Sequence, residues 1–216
     1  MSDLTLTGFS DSVYSWAARL GLTVCRLDYA WREVNPFEEG GAEASGHPFG
    51  EVPVLQHSDF TLYETAAILH YAHALAPETG IVPEDARACA RVQQVVSLTN
   101  AHVYRPCVRQ VYSHGVYRRQ LGATWDESMV ADGLARAGRA LDALETVAEE
   151  GLVLRREAVD AAALLLLPML VMFSAYPQAR EMLKARAALW SWFTALCAHE
   201  DVRATCPARL KGDLVT

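Results

Sequence analysis

Two short runs in the first third of the sequence carry residues suited to holding a peptide-like ligand. In Gly50-Glu51-Val52-Pro53-Val54-Leu55 a proline stands at the start of a strand-like segment. Proline removes a ladder donor and belongs at sheet edges, and an X-Pro bond takes the cis form at modest cost, which turns the chain sharply. A cis turn there leaves the amide and carbonyl of Val52 facing outward, where an extended peptide can pair with them as an added strand. In Leu62-Tyr63-Glu64-Thr65 the last two residues stand where a helix begins. A helix start offers free amides and a positive partial charge, which receive a carboxylate. The Thr65 hydroxyl can donate to the same anion, and Glu64 can pair with an adjacent ammonium. Together they suit the α-amino acid end of a ligand. Taken singly, an ordinary turn proline and a favourable helix cap explain the same residues.

These residues need a sheet edge and a helix start, and the surrounding pattern supplies both. Leu4-Thr5-Leu6-Thr7 alternates as a half-buried strand does. Gly8 to Ser12 forms a turn, and Ser15 to Cys25 reads as a helix with Trp16, Ala17, Leu20 and Val24 toward a core. Tyr29 to Val34 is a second strand, closed by Asn35-Pro36. Residues 38–50, rich in Gly, Glu, Ala and Ser, read as a mostly irregular connection. Val52 to His57 and Phe60 to Leu62 flank Ser58-Asp59 as a hairpin. A helix follows from Glu64 to Leu75, with Ile68, Leu69, Ala72 and Leu75 on one face.

Ala76 to Pro83, with two prolines and a glycine, reads as an interdomain linker. Beyond it no strand pattern recurs. Asp85 to Tyr112 is a long helical stretch, with Pro106 the expected point of a kink. In Trp125 to Glu150 the residues Val130, Leu134, Ala137, Leu141, Leu144 and Ala148 form an amphipathic stripe. Two further helices are expected over Glu157 to Ser174 and Gln178 to His199. The predicted fold class is therefore α/β plus all-α: a βαβ-ββα domain over residues 1–77, then an all-helical domain over 84–216.

Hydrophobic residues at 51% and charged residues at 21% mark a globular chain of 216 residues. A net charge of -7 argues against a nucleic-acid surface. The five cysteines, Cys25, Cys89, Cys107, Cys197 and Cys206, are scattered and show no Cys-x-x-Cys spacing. Neither a zinc motif nor a disulfide framework is expected, and a reducing, cytoplasmic location fits. Met1-Ser2-Asp3 shows no secretory pattern. The longest apolar run, Ala161 to Phe173, contains Pro168 and falls short of the roughly 20 residues a span requires; it reads as a helix buried on all sides. No membrane, metal or nucleic-acid partner is expected.

The first domain resembles the cytosolic glutathione transferase superfamily. Gly50-Glu51-Val52-Pro53-Val54-Leu55 with Leu62-Tyr63-Glu64-Thr65-Ala66-Ala67-Ile68 is similar to its glutathione site, cis proline included. Ser12-Val13-Tyr14-Ser15-Trp16-Ala17-Ala18-Arg19 resembles the first-helix start of the serine-type classes, as in a zeta- or theta-like bacterial member. Asn35-Pro36-Phe37 and His47-Pro48-Phe49-Gly50 fit the same pattern. The resemblance implies a thioredoxin-like glutathione-binding domain, an all-helical C-terminal domain and a symmetric homodimer.

By that resemblance Ser12 takes the catalytic position, with Ser10 and Tyr14 as nearby hydroxyls that take over if the register is off. A free thiol has a pKa near 8.5, so a hydroxyl donor beside free helix amides promotes the thiolate. The resemblance places Val52 and Pro53 against the cysteinyl backbone of glutathione, Glu64 and Thr65 at its γ-glutamyl end, and Glu51 near its glycine carboxylate. Tyr14, Tyr104 and Tyr112 are candidates for the pocket of a small apolar electrophile, and His102, Arg105, Arg109 and His114 lie on or beside the same helix. Two positions depart from the family: Glu51 stands where Lys or Arg is common, and Glu157-Ala158-Val159-Asp160 replaces Ser/Thr-x-x-Asp, with Asp160 at the N3 place. The implied activity is conjugation of glutathione, as cosubstrate, to an electrophile, with a zeta-like isomerase use as a variant. The alternative is a non-catalytic protein of the same fold that binds ligands or a partner. The absence of cysteine between Gly8 and Arg19 argues against a thiol reductase.

Overall fold

The computed structural model describes residues 3–214. Met1 and Ser2, at the head of the expected first domain, and Val215 and Thr216, at the tail of the second, lie outside the described residues. The first unit runs β1 (Leu4–Gly8), α1 (Val13–Val24), β2 (Ala30–Glu33), α2 (Gly41–Ser45), β3 (Val54–His57), β4 (Phe60–Tyr63) and α3 (Thr65–Leu75). The sheet order is β2-β1-β3-β4. β1 pairs parallel with β2 and antiparallel with β3, so Leu6 faces Trp31 on one side and Leu55 on the other. Leu6 and Leu55 are buried in one core with Trp16, Leu20, Ile68 and Leu69. Val24 is half-buried and Leu75 is 39% exposed, so the apolar faces of α1 and α3 end before those residues.

One stretch expected to be irregular is in part helical. Residues 41–45 form α2, bounded by Gly40 and Gly46, each at φ 73. Five residues are too few to show a helical period, so the two left-handed glycines were its only local sign.

The second unit is helical. α4 (Ala86–Leu98) starts at Asp85, whose carboxylate accepts from the amides of Arg87 and Ala88. The helix then continues over Thr99–Tyr117 in a wider register, with the Arg118 amide reaching Ser113 five residues back, and ends in α5 (Arg118–Gln120). It therefore runs past Pro106 and beyond the expected Tyr112 end. α6 (Glu127–Glu150) buries Val130, Leu134, Ala137, Leu141 and Leu144 as expected, while Val147 rather than Ala148 takes the last buried place. α7 (Ala161–Ser174) is buried along its whole length, packed against α1, α4 and the Thr99–Tyr117 segment.

Two further helix boundaries, both in the last third of the chain, differ from the sequence reading. α7 begins at Ala161, so Asp160 is not at N3 but is itself the cap, accepting from the Ala163 amide at 2.8 Å. Glu157 lies outside the helix. The stretch Gln178 to His199 is two helices, α8 (Pro177–Lys184) and α9 (Ala187–Cys197), followed by α10 (Glu200–Thr205). The break has a distant cause. The Glu145 carboxylate of α6 accepts from the amides of Ala188 and Leu189, satisfying orphan donors at the start of α9. Arg186 closes the junction by donating to Asp142 and to the carbonyls of Met182 and Gly138.

Candidate functional site

The turn between β1 and α1 sets up a hydroxyl and a helix start at one place. Ser12 has extended backbone, φ -82 and ψ 125, and its Oγ accepts from the Ser15 amide at 3.3 Å. Its own amide is held by the Phe9 carbonyl at 2.9 Å. Capping uses a lone pair of Ser12 Oγ and leaves the hydroxyl proton without a protein acceptor among the described residues. The amides of Val13 and Tyr14 open the same helix, where intrahelical acceptors are missing.

Ser10 and Tyr14 are engaged differently. Ser10 Oγ donates to Glu33, and the Ser10 amide donates to the same carboxylate. Tyr14 Oη donates to Asn100 Oδ1 at 3.1 Å. Burial raises the pKa of the Tyr14 phenol, helped by Tyr104 and by the negative charges of Glu64 and Glu51. Tyr14 is thus a neutral donor whose proton is taken by the opposite wall.

Across the turn, the Val52-Pro53 bond is cis and β3 begins only at Val54. Val52 is therefore off the ladder, and its amide and carbonyl make no backbone bond among the described residues. Thr65, 5% exposed, is the first residue of α3, and its hydroxyl donates a long hydrogen bond to the Tyr14 carbonyl at 3.5 Å. Glu64 precedes it at φ 68 and ψ 112, solvent-exposed and with no side-chain capping bond. Its carboxylate is free to face a ligand.

These groups share one cavity of about 630 Å³, inside the range of small-molecule sites. The small-domain wall carries Ser12, Tyr14, Glu51, Val52, Pro53, Glu64 and Thr65. The facing wall, on the long helix, carries Asn100, Tyr104, Arg109, Tyr112 and Tyr117, with Met172 of α7 behind. Tyr14 and Tyr104 lie with ring centroids 4.8 Å apart, and Tyr112 and Tyr117 with centroids 6.0 Å apart. Burial raises the pKa of Tyr104 and Tyr112, so both phenols stay protonated at neutral pH. At the far end, Arg209 and the Tyr117 hydroxyl both hold the carboxylate of Asp11, the neighbour of Ser12.

The cavity brings together every residue the sequence marked as catalytic, ligand-binding or acceptor-lining. Ser10, His102 and Arg105 are exposed outside it, and the His114 ring accepts from the Asp126 amide instead. Sequence reasoning gave no role to Asp11, Asn100, Arg109 or Tyr117. Asn100 and Tyr117 read locally as solvent-facing helix residues; only their packing across a sequence gap of about a hundred residues gives them meaning. Among the described residues no cluster of three or more His, Cys, Asp or Glu is placed to hold a metal ion.

Residues 6–80 match the family model described as the N-terminal domain of glutathione S-transferase. The chain is 33% identical over 135 residues to glutathione S-transferase theta-1 of Bos taurus, covering 56% of each chain. It is 27% identical over 89 residues to the probable maleylacetoacetate isomerase 2 of Drosophila melanogaster, covering 39% of each. These matches span about half the length of the curated relatives, or less. Among solved structures, glutathione S-transferase I of maize in complex with an atrazine–glutathione conjugate superposes with a TM-score of 0.81 at 20% identity, covering 97% of this chain and 98% of that one. The theta-class glutathione S-transferase of Xanthomonas axonopodis pv. citri, with glutathione bound, superposes with a TM-score of 0.76 at 17% identity, covering 97% and 100%. At such identities these two likenesses carry the fold: a thioredoxin-like domain followed by an all-helical one.

Proposed function

We propose a chemistry for this chain from one premise: it belongs to the glutathione transferase superfamily. The reading is a glutathione transferase that adds the glutathione thiolate to a small electrophile. Val52 pairs through its amide and carbonyl with the cysteinyl unit. Pro53 fixes that turn. The α3 start receives the γ-glutamyl carboxylate, joined by the Thr65 hydroxyl once it turns from its long bond to the Tyr14 carbonyl, and Glu64 takes the ammonium beside it. Ser12 donates its hydroxyl proton as a hydrogen bond to the sulfur, and the Val13 and Tyr14 amides add positive partial charge. Both effects favour the charged form and lower the thiol pKa. The electrophile sits between the tyrosine pairs of the facing wall.

One observation carries this reading. Ser12 caps α1 with a lone pair while its proton stays unclaimed, in the same cavity as the off-ladder Val52 and the α3 start. The competing hydroxyls are engaged elsewhere, Ser10 with Glu33 and Tyr14 with Asn100.

Ser12→Ala tests it. The variant is expected to bind glutathione while the pKa seen in the pH–rate profile rises by about a unit or more. Turnover at neutral pH then falls tenfold or more, and recovers toward wild type in alkaline buffer. A profile identical to wild type overturns the role of Ser12. No heat of binding with millimolar glutathione overturns the whole reading. The same premise gives a two-domain division near residues 77–84, a symmetric homodimer and a reducing cytoplasmic setting. Among the described residues no helix is long and apolar enough to cross a membrane.

A further inference from the structure

The acceptor half of the cavity contains an unbalanced charge. Of the lysines and arginines among the described residues, only Arg109 lines the cavity. The carboxylates there are those of Asp11, Glu51 and Glu64. Asp11 is held by Arg209, and the two glutamates belong to the small-domain wall, where Glu64 faces the ligand ammonium. Arg109 is solvent-exposed, and no carboxylate among the described residues forms an ion pair with it. It shares the cavity wall with Tyr104, and its charge opposes the rise that burial causes in the Tyr104 pKa. Arg109 follows Tyr104 by five residues and precedes Tyr112 by three, so it is set among the acceptor-side tyrosines. Val52 and Thr65, the proposed glutathione contacts, stand on the other wall.

We propose that Arg109 makes this site selective for flat aromatic electrophiles bearing an anionic group, such as a carboxylate, distant from the carbon attacked. The ring lies against Tyr104 and Tyr112. The anion takes a charge-assisted bond from Arg109, whose planar fork matches a carboxylate in two-point contact, and a second donor from the Tyr104 hydroxyl. The inference rests on the transferase reading above and names its substrate class. For an aryl chloride the thiolate sulfur forms the new C–S bond, the C–Cl bond breaks with its electron pair leaving as chloride, and the thiol proton goes to solvent.

The test uses two acceptors of one substitution pattern, a chlorodinitrobenzoate and the corresponding chlorodinitrobenzamide, with wild type, Arg109→Met and Arg109→Lys. The quantity read is the acid-over-amide ratio of kcat/KM, which cancels differences in folded fraction. Loss of a hydrogen bond to a charged group lowers the ratio by about tenfold or more in Arg109→Met, chiefly through KM for the acid, with Arg109→Lys recovering part of it. An unchanged ratio overturns the inference and leaves the transferase reading intact. A rise in KM for glutathione that is equal with both acceptors overturns it too, by assigning Arg109 to a glutathione carboxylate. If wild type conjugates neither acceptor and gives no heat with glutathione, the transferase reading falls and the inference with it.

Discussion

At the scale of single residues, two glutamates set the limits of the ligand half. Glu51 is exposed on the cavity wall, in the run that holds Val52. In the proposed binding mode a carboxylate there opposes the glycine carboxylate of glutathione. Glu51→Lys is therefore expected to lower KM for glutathione by about two- to fivefold, the size of an exposed charge interaction, in steady-state assays at low salt. An unchanged KM would place Glu51 outside the ligand's reach. Glu64 is held at φ 68, a conformation that costs a residue with a Cβ roughly 1–3 kcal/mol. Glycine has no such cost, though it loses about 0.5–1 kcal/mol of chain entropy. Glu64→Gly should thus unfold in urea at about 1 kcal/mol above Glu64→Ala, while both variants lose affinity for glutathione. Equal stabilities would show that strain at residue 64 is no larger than the entropic cost of glycine, about 0.5–1 kcal/mol.

At the scale of elements, Asp160 is the informative cap. It is 5% exposed and accepts from Ala163 at the head of the most buried helix. Burial raises its pKa, although the amides of Ala163, Leu154 and Ala162 work against the rise. An acid with a raised folded pKa binds its proton more tightly when folded. Its contribution is complete below the unfolded pKa and declines as pH climbs through the folded one. Asparagine caps equally well without a charge. Asp160→Asn is expected to gain on wild type as pH rises from about 3 to 7, and Asp160→Ala to stay about 1–2 kcal/mol below Asp160→Asn throughout. A constant difference between Asn and wild type in urea melts across that range would contradict the raised pKa.

The elements also show what was legible beforehand. The hairpin, α1, α3 and the α6 stripe follow from local period and turn chemistry, whereas the small-domain wall of the cavity lies in three short runs, around Ser12, Val52 and Glu64, of which the first was marked only by the family resemblance. The break between α8 and α9 was hidden because its cap is Glu145, on another helix. The α7 start was misplaced because Glu157 was aligned to a family pattern, whereas the acceptor for the first amides is Asp160. Asn100 and Arg109 went unassigned for the same reason as the α8–α9 break. Their roles exist only across an interface.

At the scale of the molecule, α1 is tied to the far end of the chain. Trp16 Nε1 donates to Thr205 Oγ1 at 3.1 Å inside the core, Arg26 pairs with Asp201 at 2.7 Å, and Arg209 holds Asp11 at 2.9 Å. α1 also packs against α7. A fragment of residues 1–80, which contains the stretch that matches the family model, would expose Trp16 and the α7-facing side of α1. It is expected to show no cooperative thermal transition and no binding of glutathione by calorimetry. A fragment that melts cooperatively and binds would show that the small domain stands alone. The bracing of Asp11 by Arg209 has a further consequence for how the protein is made. The turn bearing Ser12 leaves the ribosome well before its brace, for Arg209 stands 198 residues beyond Asp11. A chain cut short of Arg209 is then expected to be inert in the proposed chemistry rather than partly active, so activity would certify that synthesis and folding have run past that residue.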